Sequence, residues 1–309
     1  MIRVLLLLSI YTCAVMGQKM APTLSRVPLD KPTITLKSPT KYERRVSGQD
    51  PKTGQISYYD PKPEVVLLDA RTKKYGLRWV GYDGKQKTVI YQKPDGVDVV
   101  ASASVERVAG GQFLYHYHIA NLQSSSQYLS TFVVQNYSSK VTGTKNADLY
   151  VGAVTRNGRE FKDGNWIGYG ILSHDVTPGQ SIELRLLSTA PPGLVECRVA
   201  GVLGMKGVGE EMPQELENVL PGYEAWPHGL TLGPHDWLQT ATVSDKVTYV
   251  RKLVPRMREL GWLTASASRW YEQNLNPQQL DSVLRHVDED FKNGNITSEV
   301  RDLIKLNLK

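Results

Sequence analysis

The chain has 309 residues, of which 40% are hydrophobic and 22% are charged. This composition is typical of a globular protein and excludes a disordered or coiled-coil chain. The net charge is +6, but the lysines and arginines are scattered and do not form a basic block interleaved with aromatic residues. We therefore expect one large or two ordinary domains, and no nucleic-acid partner.

The N-terminus has the features of an export signal. Arg3 supplies a positive charge, and an apolar run of about a dozen residues follows at 4–15, too short to span a membrane. Cleavage fits best after Gly17, so we predict a signal peptide over residues 1–17. The protein is then secreted, or resides in the periplasm or cell envelope of a bacterium. No later segment of the sequence has the length of a transmembrane helix.

The two cysteines restrict the chemistry further. Cys13 lies in the predicted signal, so Cys197 is the one cysteine of the exported chain and no intrachain disulfide can form. Cys197 lies in an apolar, strand-like run, which favours a buried side chain over a nucleophile. A lipoprotein role for Cys13 is an alternative, but the residues before it are a poor match to the small residues that this signal prefers.

After the signal, residues 18–63 are rich in proline and are predicted to form an extended leader. From residue 64 to 205, apolar runs bounded by turn residues predict a series of strands, and turn signals roughly every 8–12 residues favour an all-β sandwich. The predicted strands lie at 65–69, 75–82, 87–92, 97–108, 113–120, 128–135, 149–155, 181–188 and 194–203.

The most regular pattern runs from Gln112 to Asn136. Residues 113–120 alternate strictly, which predicts a half-buried strand with Tyr115 and Tyr117 on one face and His116 and His118 on the other. Residues 121–127 are predicted to turn the chain, and residues 128–135 to return as the partner strand of a central hairpin.

This stretch resembles a hairpin of the immunoglobulin-like sandwiches found in secreted bacterial proteins. The resemblance is carried by Tyr115, Tyr117, Ile119, Asn121 and Phe132-Val133-Val134, and it continues with Trp166, Pro178-Gly179, Ser188 and Pro192-Gly193. It covers residues 64–205 and implies an antiparallel immunoglobulin-like β-sandwich in an exported protein. It implies no activity.

The remaining residues are predicted to form a connector at 206–242 and a helical module at 243–309. Helical periodicity begins at Ser244 or Asp245, either of which can cap the helix, and Pro255 predicts a kink or break. A 33-residue repeat aligns Gly261 with Gly294 and Thr264 with Thr297. Glycine suits the residue after a helix and threonine the start of the next one, so we predict two helix hairpins. The fold class is therefore mainly β, with a small α-helical module.

Histidines are the candidate metal ligands. His116 and His118 share one strand face and, with Glu106, could bind a metal, but a polar outer face of the sheet, or packing of the rings beside tyrosines, is the favoured explanation. His228, His235 and Asp236 have no recognisable ligand spacing, and we expect that segment to serve the packing of its two tryptophans, Trp226 and Trp237.

Aromatic side chains are the other candidates. Trp79, Tyr82, Trp166 and Tyr169 could stack on sugar rings, but their position in alternating strands favours a place in the core. Motifs for nucleophilic, zinc-dependent or phosphate-binding catalysis are missing from the sequence.

We expect a non-catalytic binding or structural protein that contacts a protein or another cell-surface component through strand edges or loops. No catalytic residue, metal ligand or cofactor is assigned. The alternatives are a carbohydrate-binding module, which requires exposed aromatic residues in a row, and a metal-dependent or glycoside hydrolase, which requires a pocket with convergent histidines and carboxylates.

Overall fold

The computed structural model describes residues 29, 31, 35–39, 46–138, 141–143, 165–170, 176–201, 212–221 and 225–309. The predicted signal peptide and the predicted strand at 149–155 lie outside the described residues. The described chain is mainly antiparallel β-sheet and ends in a group of helices.

The strands and helices are numbered in chain order. The strands are β1 (Val46–Gln49), β2 (Ile56–Tyr59), β3 (Glu64–Asp69), β4 (Lys74–Val80), β5 (Gln86–Gln92), β6 (Val99–Arg107), β7 (Phe113–Asn121), β8 (Leu129–Asn136), β9 (Val141–Gly143), β10 (Asn165–Gly170), β11 (Ser181–Ser188), β12 (Pro192–Gly201) and β13 (His228–Pro234). The α-helices are α1 (Gln214–Asn218), α2 (Asp236–Thr240), α3 (Val243–Glu259), α4 (Ala265–Asn274), α5 (Leu280–Lys292) and α6 (Ser298–Leu308).

Two four-stranded antiparallel sheets form the centre of the molecule. The first has the order β6-β7-β11-β9 and the second has the order β10-β8-β12-β13. Tyr117 joins them, because its ring centroid lies 5.5 Å from that of Phe132 on β8 and its hydroxyl donates to the Leu232 carbonyl on β13 at 2.9 Å. The inner faces of the two sheets therefore pack against each other, as the alternation in β7 predicts.

The predicted central hairpin is wrong in one respect, since β7 and β8 are not paired. β7 pairs with β6 and β11 in the first sheet, whereas β8 pairs with β10 and β12 in the second. Both strands carry an apolar face. Because the two strands lie in opposite sheets and face each other across the core, both apolar faces are buried. The side chain of Asn121 holds the crossing segment by donating to the Gln127 and Val176 carbonyls.

A smaller sheet, β3-β4-β5, has a core of its own. Trp79, Leu77 and Tyr91 are buried on one of its faces against Leu36 from the predicted leader and Leu216 from α1. The leader also contains the hairpin β1-β2, and Leu29 donates its backbone N–H to the Val99 carbonyl at the start of β6. The predicted leader is thus packed on the sheets at Leu29 and Leu36, whereas the β1-β2 hairpin exposes Ile56 and Tyr58.

The four long helices form two hairpins that repeat one local design. Gly261 and Gly294 have φ values of 70° and 74°, as predicted for the residue after a helix end, and Thr264 and Thr297 begin the helices that follow. The first of these helices, α3, is capped by Thr242 and not by Ser244 or Asp245, and it continues through Pro255. Within the described residues, no helix has the length and apolar character needed to cross a bilayer.

The two hairpins are joined where the repeat aligns them. Leu263 and Ile296, which occupy equivalent repeat positions, form an antiparallel bridge. The Thr264 N–H donates to the Asn295 carbonyl at 2.9 Å, and the Thr297 N–H donates to the Trp262 carbonyl at 2.8 Å. These helices belong to the same buried apolar cluster as the two four-stranded sheets.

Helix α6 covers the open edge of β6. Glu299 accepts the Ala103 N–H and Asp302 accepts the Val105 N–H, each at 2.8 Å. Residues three apart on a helix share one face, and residues two apart on an edge strand point their N–H groups the same way. Two carboxylates of α6 therefore take the place of a neighbouring strand at this edge.

Candidate functional site

Four rings from distant parts of the chain meet at one end of the second sheet. Tyr137 follows β8, His235 follows β13, Trp237 lies in α2 and Tyr249 lies in α3. We call these four residues the aromatic surface. His235 is its centre, with ring centroids 5.0 Å from Tyr137, 6.2 Å from Trp237 and 6.1 Å from Tyr249.

The rings differ in orientation and in exposure. Tyr137 stacks on His235, whereas Trp237 and Tyr249 approach it edge-on and lie 5.6 Å from each other. Trp237 and Tyr137 are 46% and 47% exposed, while His235 and Tyr249 are partly buried beside them. The aromatic surface thus exposes the rings of Trp237 and Tyr137 to solvent, and the rings of His235 and Tyr249 pack beside them.

Backbone hydrogen bonds hold the surface in place. Tyr137 and His235 form a parallel bridge, in which the Tyr137 N–H donates to the Pro234 carbonyl at 3.2 Å and the Asp236 N–H donates to the Tyr137 carbonyl at 3.1 Å. The Leu194 N–H donates to the Tyr249 hydroxyl at 3.0 Å. Tyr137 and His235 are therefore anchored to the sheet, and Trp237 and Tyr249 are carried on helices, so little conformational entropy is lost when a ligand binds them.

Gly193 is required where His235 crosses β12. A Cβ atom on Gly193 would lie 2.8 Å from the His235 Cβ, closer than such atoms approach in proteins. Any larger residue at this position of β12 would therefore require His235 or the strand to shift.

Polar groups lie directly beside the rings. The Ser138 hydroxyl donates to the Asp236 carboxylate at 2.8 Å, and these two residues follow Tyr137 and His235 in the chain. The negative charge of Glu196 on β12 also reaches the surface, since it adds to burial in raising the pKa of Tyr137. Burial lowers the pKa of His235 below its usual value against the opposing charge of Asp236, which favours a neutral imidazole.

The predicted metal candidates are placed apart from this surface. On β7, the His116 Nε2 atom lies 3.2 Å from Glu106 of β6, and the His118 Nδ1 atom lies 2.5 Å from Glu183 of β11. Each imidazole therefore pairs with a carboxylate on a different neighbouring strand. In the part of the chain that the structure describes, no three histidine, cysteine or acidic residues are grouped to hold a metal ion.

The tryptophans divide into core and surface. Trp79 and Trp166 are buried, as their strand positions predict, and Trp226 is buried against Trp166, Val133 and Ala200. Tyr82 is partly buried, and Tyr169 lies on β10. Trp237 is exposed, so packing accounts for Trp226 but not for Trp237.

The segment with the second pair of histidines is more ordered than a connector. His228 begins β13, where it lies opposite Arg198 of β12, and β13 completes the second sheet. His235 and Asp236 stand at the other end of the same strand and join the aromatic surface. Cys197 is buried on β12, and its pKa is raised to about 12 by burial, so it is not a nucleophile.

Sequence reasoning missed Tyr137 and Tyr249 as site residues. They are about a hundred residues apart in the chain. Tyr137 is brought to His235 by a backbone bridge, and Tyr249 is brought there by the packing of α3. The one sequence feature that points to this site is the cluster of aromatic residues around His235, which the sequence alone explains as packing. No known family model matches the chain, and no curated protein sequence does either.

Proposed function

We propose that this chain is an exported, non-catalytic binding protein that contacts a component of the cell envelope through the aromatic surface. The observation that carries the proposal is the exposure of Trp237 and Tyr137 on positions held by backbone hydrogen bonds. The contact then lies on the rings at the end of the second sheet, instead of on the strand edges or loops expected from the sequence.

The proposal includes an immunoglobulin-like scaffold, which the strand order supports. The order β6-β7-β11-β9 corresponds to strands A, B, E and D of such a domain, and β10-β8-β12-β13 corresponds to C′, C, F and G. One departure is that β9 precedes β10 in the chain. The edge strands β6 and β13 contact each other, as strands A and G do in this topology.

Exposed aromatic rings are suited to binding. A large ring on a soluble protein loses contact with water when a ligand covers it, and tryptophan and tyrosine carry much of the energy at recognition sites. The predicted signal peptide at residues 1–17 supports a place outside the cytoplasm. A binding surface on a rigid domain requires no cofactor, and none is proposed.

The test is retention of the purified protein on isolated cell envelopes of the producing organism. Loss of a central aromatic contact costs roughly 2 kcal/mol, so we expect Trp237→Ala and Tyr137→Ala each to weaken retention about 30-fold. The matched control is Tyr128→Ala, because Tyr128 is 50% exposed but lies just before the opposite end of β8. Equal retention of all three variants and the wild type would refute the proposal.

A further inference from the structure

The footprint of the aromatic surface is small. Of its four rings only Trp237 and Tyr137 are strongly exposed, and Ser138, Asp236 and Glu196 adjoin them. A stable protein–protein interface buries about 800 Å² on each partner and involves roughly 20–30 residues a side, with an apolar centre. Two rings bordered by polar groups match a ligand of the size of one or two sugar units more closely.

Among the described residues, the other large exposed apolar side chains lie elsewhere in the fold, except for Val243 at the start of α3, six residues after Trp237 in the chain. Ile56 and Tyr58 lie on β2, Leu67 and Leu68 on β3, and Ile90 on β5, all in the two smaller sheets. Tyr128 lies at the far end of β8, about 30 Å along the strand at its usual rise per residue. Within the described residues, the aromatic surface is therefore not one part of a broad apolar face that a protein would cover.

The geometry points to a neutral glycan as the ligand, and this inference rests on the proposed binding function. The C–H groups on one face of a pyranose ring are apolar and slightly positive, so they are attracted to the negative face of an aromatic ring. Tyr137 stacks on His235 at 5.0 Å and Trp237 meets it edge-on at 6.2 Å between centroids, so the two exposed rings both adjoin His235 and each can contact a different sugar of one chain.

The charges beside the rings select among sugars. Asp236 is oriented by its 2.8 Å hydrogen bond from Ser138, whereas Glu196 forms an ion pair with Arg198 on β12, so we assign the selection among sugars to the carboxylate of Asp236. A carboxylate accepts hydrogen bonds from sugar hydroxyls, and it repels the carboxylates of acidic sugars. Burial favours an uncharged His235, which therefore does not offset that repulsion. Neutral hexose or N-acetylhexosamine chains are thus expected to bind, and uronic acid chains are not.

The first experiment identifies the chemical class of the envelope component. Envelopes are treated with protease, or with periodate, and retention of the wild-type protein is measured on each. Periodate cleaves sugars that carry vicinal hydroxyls; because 1,4-linked N-acetylhexosamines carry none, the periodate treatment also includes lysozyme and chitinase, which hydrolyse such chains. We expect periodate to reduce retention at least 10-fold and protease to leave it unchanged.

The second experiment measures direct binding. Tryptophan fluorescence is followed while the full-length protein is titrated with cellohexaose, chitohexaose and, as the acidic comparison, hexagalacturonic acid. We expect at least one neutral oligosaccharide to bind, Trp237→Ala to weaken it at least 10-fold, and Trp237→Phe to recover part of the loss. Asp236→Asn is expected to weaken the neutral ligand less than Trp237→Ala does. Tyr128→Ala should bind as the wild type.

The outcomes separate this inference from the proposed function. Retention that depends on Trp237 but is lost after protease and kept after periodate would mean a protein partner, which overturns the glycan inference and leaves the binding function standing. Retention that does not depend on Trp237 or Tyr137 overturns both. Stronger binding of the acidic oligosaccharide would overturn the assigned sugar class.

Discussion

Replacing Glu299 with alanine removes an acceptor for a buried backbone N–H at the edge of β6. Glu299 is 2% exposed, and its Oε1 atom accepts the Ala103 N–H at 2.8 Å. Its Oε2 atom lies 3.3 Å from the Ser298 hydroxyl, which also reaches the Ala103 carbonyl at 3.2 Å. Alanine leaves the Ala103 N–H without this partner, while glutamine retains an oxygen in the same place.

The two variants separate the hydrogen bond from the charge. Leaving a buried N–H unsatisfied costs about 1–3 kcal/mol. Because Glu299→Ala and Glu299→Gln both remove the charge, the difference between their free energies of unfolding measures the hydrogen bond and the packing of the side-chain stem. We expect Glu299→Ala to be less stable than Glu299→Gln by about 2 kcal/mol.

The sign of the charge effect follows from the pKa of Glu299, which burial raises above its usual value of 4.5. A raised pKa in the folded state means that the carboxyl contributes stability below the unfolded value of 4.5, and that this contribution is lost as the pH rises through the folded value. At pH 8, Glu299→Gln is therefore expected to be as stable as the wild type or more stable. Its advantage should shrink as the pH is lowered towards 4.5.

Urea unfolding followed by circular dichroism at several pH values measures these differences. Asp302 offers a parallel pair, because it accepts the Val105 N–H at 2.8 Å one helical turn further along. Equal stability of Glu299→Ala and Glu299→Gln would refute the view that α6 satisfies the edge of β6. An advantage of Glu299→Gln that grows towards low pH would refute the sign of the pKa argument.

Three further predictions concern single positions. Gly294 has a φ of 74°, and a Cβ atom added there would meet open space. Gly294→Ala should therefore lower the free energy of unfolding by about 1–2 kcal/mol, from backbone strain alone, as measured by thermal unfolding. Asn293→Ala, at the preceding residue, is the control, and an equal loss of stability in both variants would contradict the strain argument. Tyr117→Phe removes the hydroxyl that joins the two sheets and should cost about 1 kcal/mol in urea unfolding; no loss would mean that this bond contributes nothing. Cys197 is fully buried with a pKa raised to about 12, so a thiol reagent should label it only at the rate of unfolding, and immediate labelling of the native protein would refute its burial.

Much of the sheet could be predicted because strand faces are encoded locally. In β7 every second side chain is apolar, and Tyr115 and Tyr117 are buried while His116 and His118 lie on the outer face. The strands predicted between residues 64 and 205 agree with the described strands, apart from shifts at their ends, except that the predicted strand at 149–155 lies outside the described residues. The described strands β9 and β10 are not among the predicted ones. The burial of Trp79 follows from the same alternation.

The helix ends were also predictable, since they depend on single residues. Gly261 takes a left-handed conformation that other residues adopt only with strain, and the Thr264 side chain accepts the Ala267 N–H at the start of α4. The repeat places Gly294 and Thr297 at the equivalent positions, where Gly294 is also left-handed but the Thr297 side chain makes no capping hydrogen bond. That the repeat-related residues Leu263 and Ile296 would pair could not be predicted, because neither helix hairpin reveals its orientation towards the other.

The sequence by itself determined which residues lie on one strand face and where helices end, because both depend on neighbours a few residues away. The tertiary structure alone decided which strands are neighbours. It placed β7 and β8 in different sheets, made β13 an edge strand within the predicted connector, and set α6 against β6. The aromatic surface also depends on which distant segments pair. Tyr137 meets His235 because the residue after β8 forms a backbone bridge with the residue after β13. Alternation of apolar residues specifies a face but not a partner, and partners are selected by burial summed over the whole core.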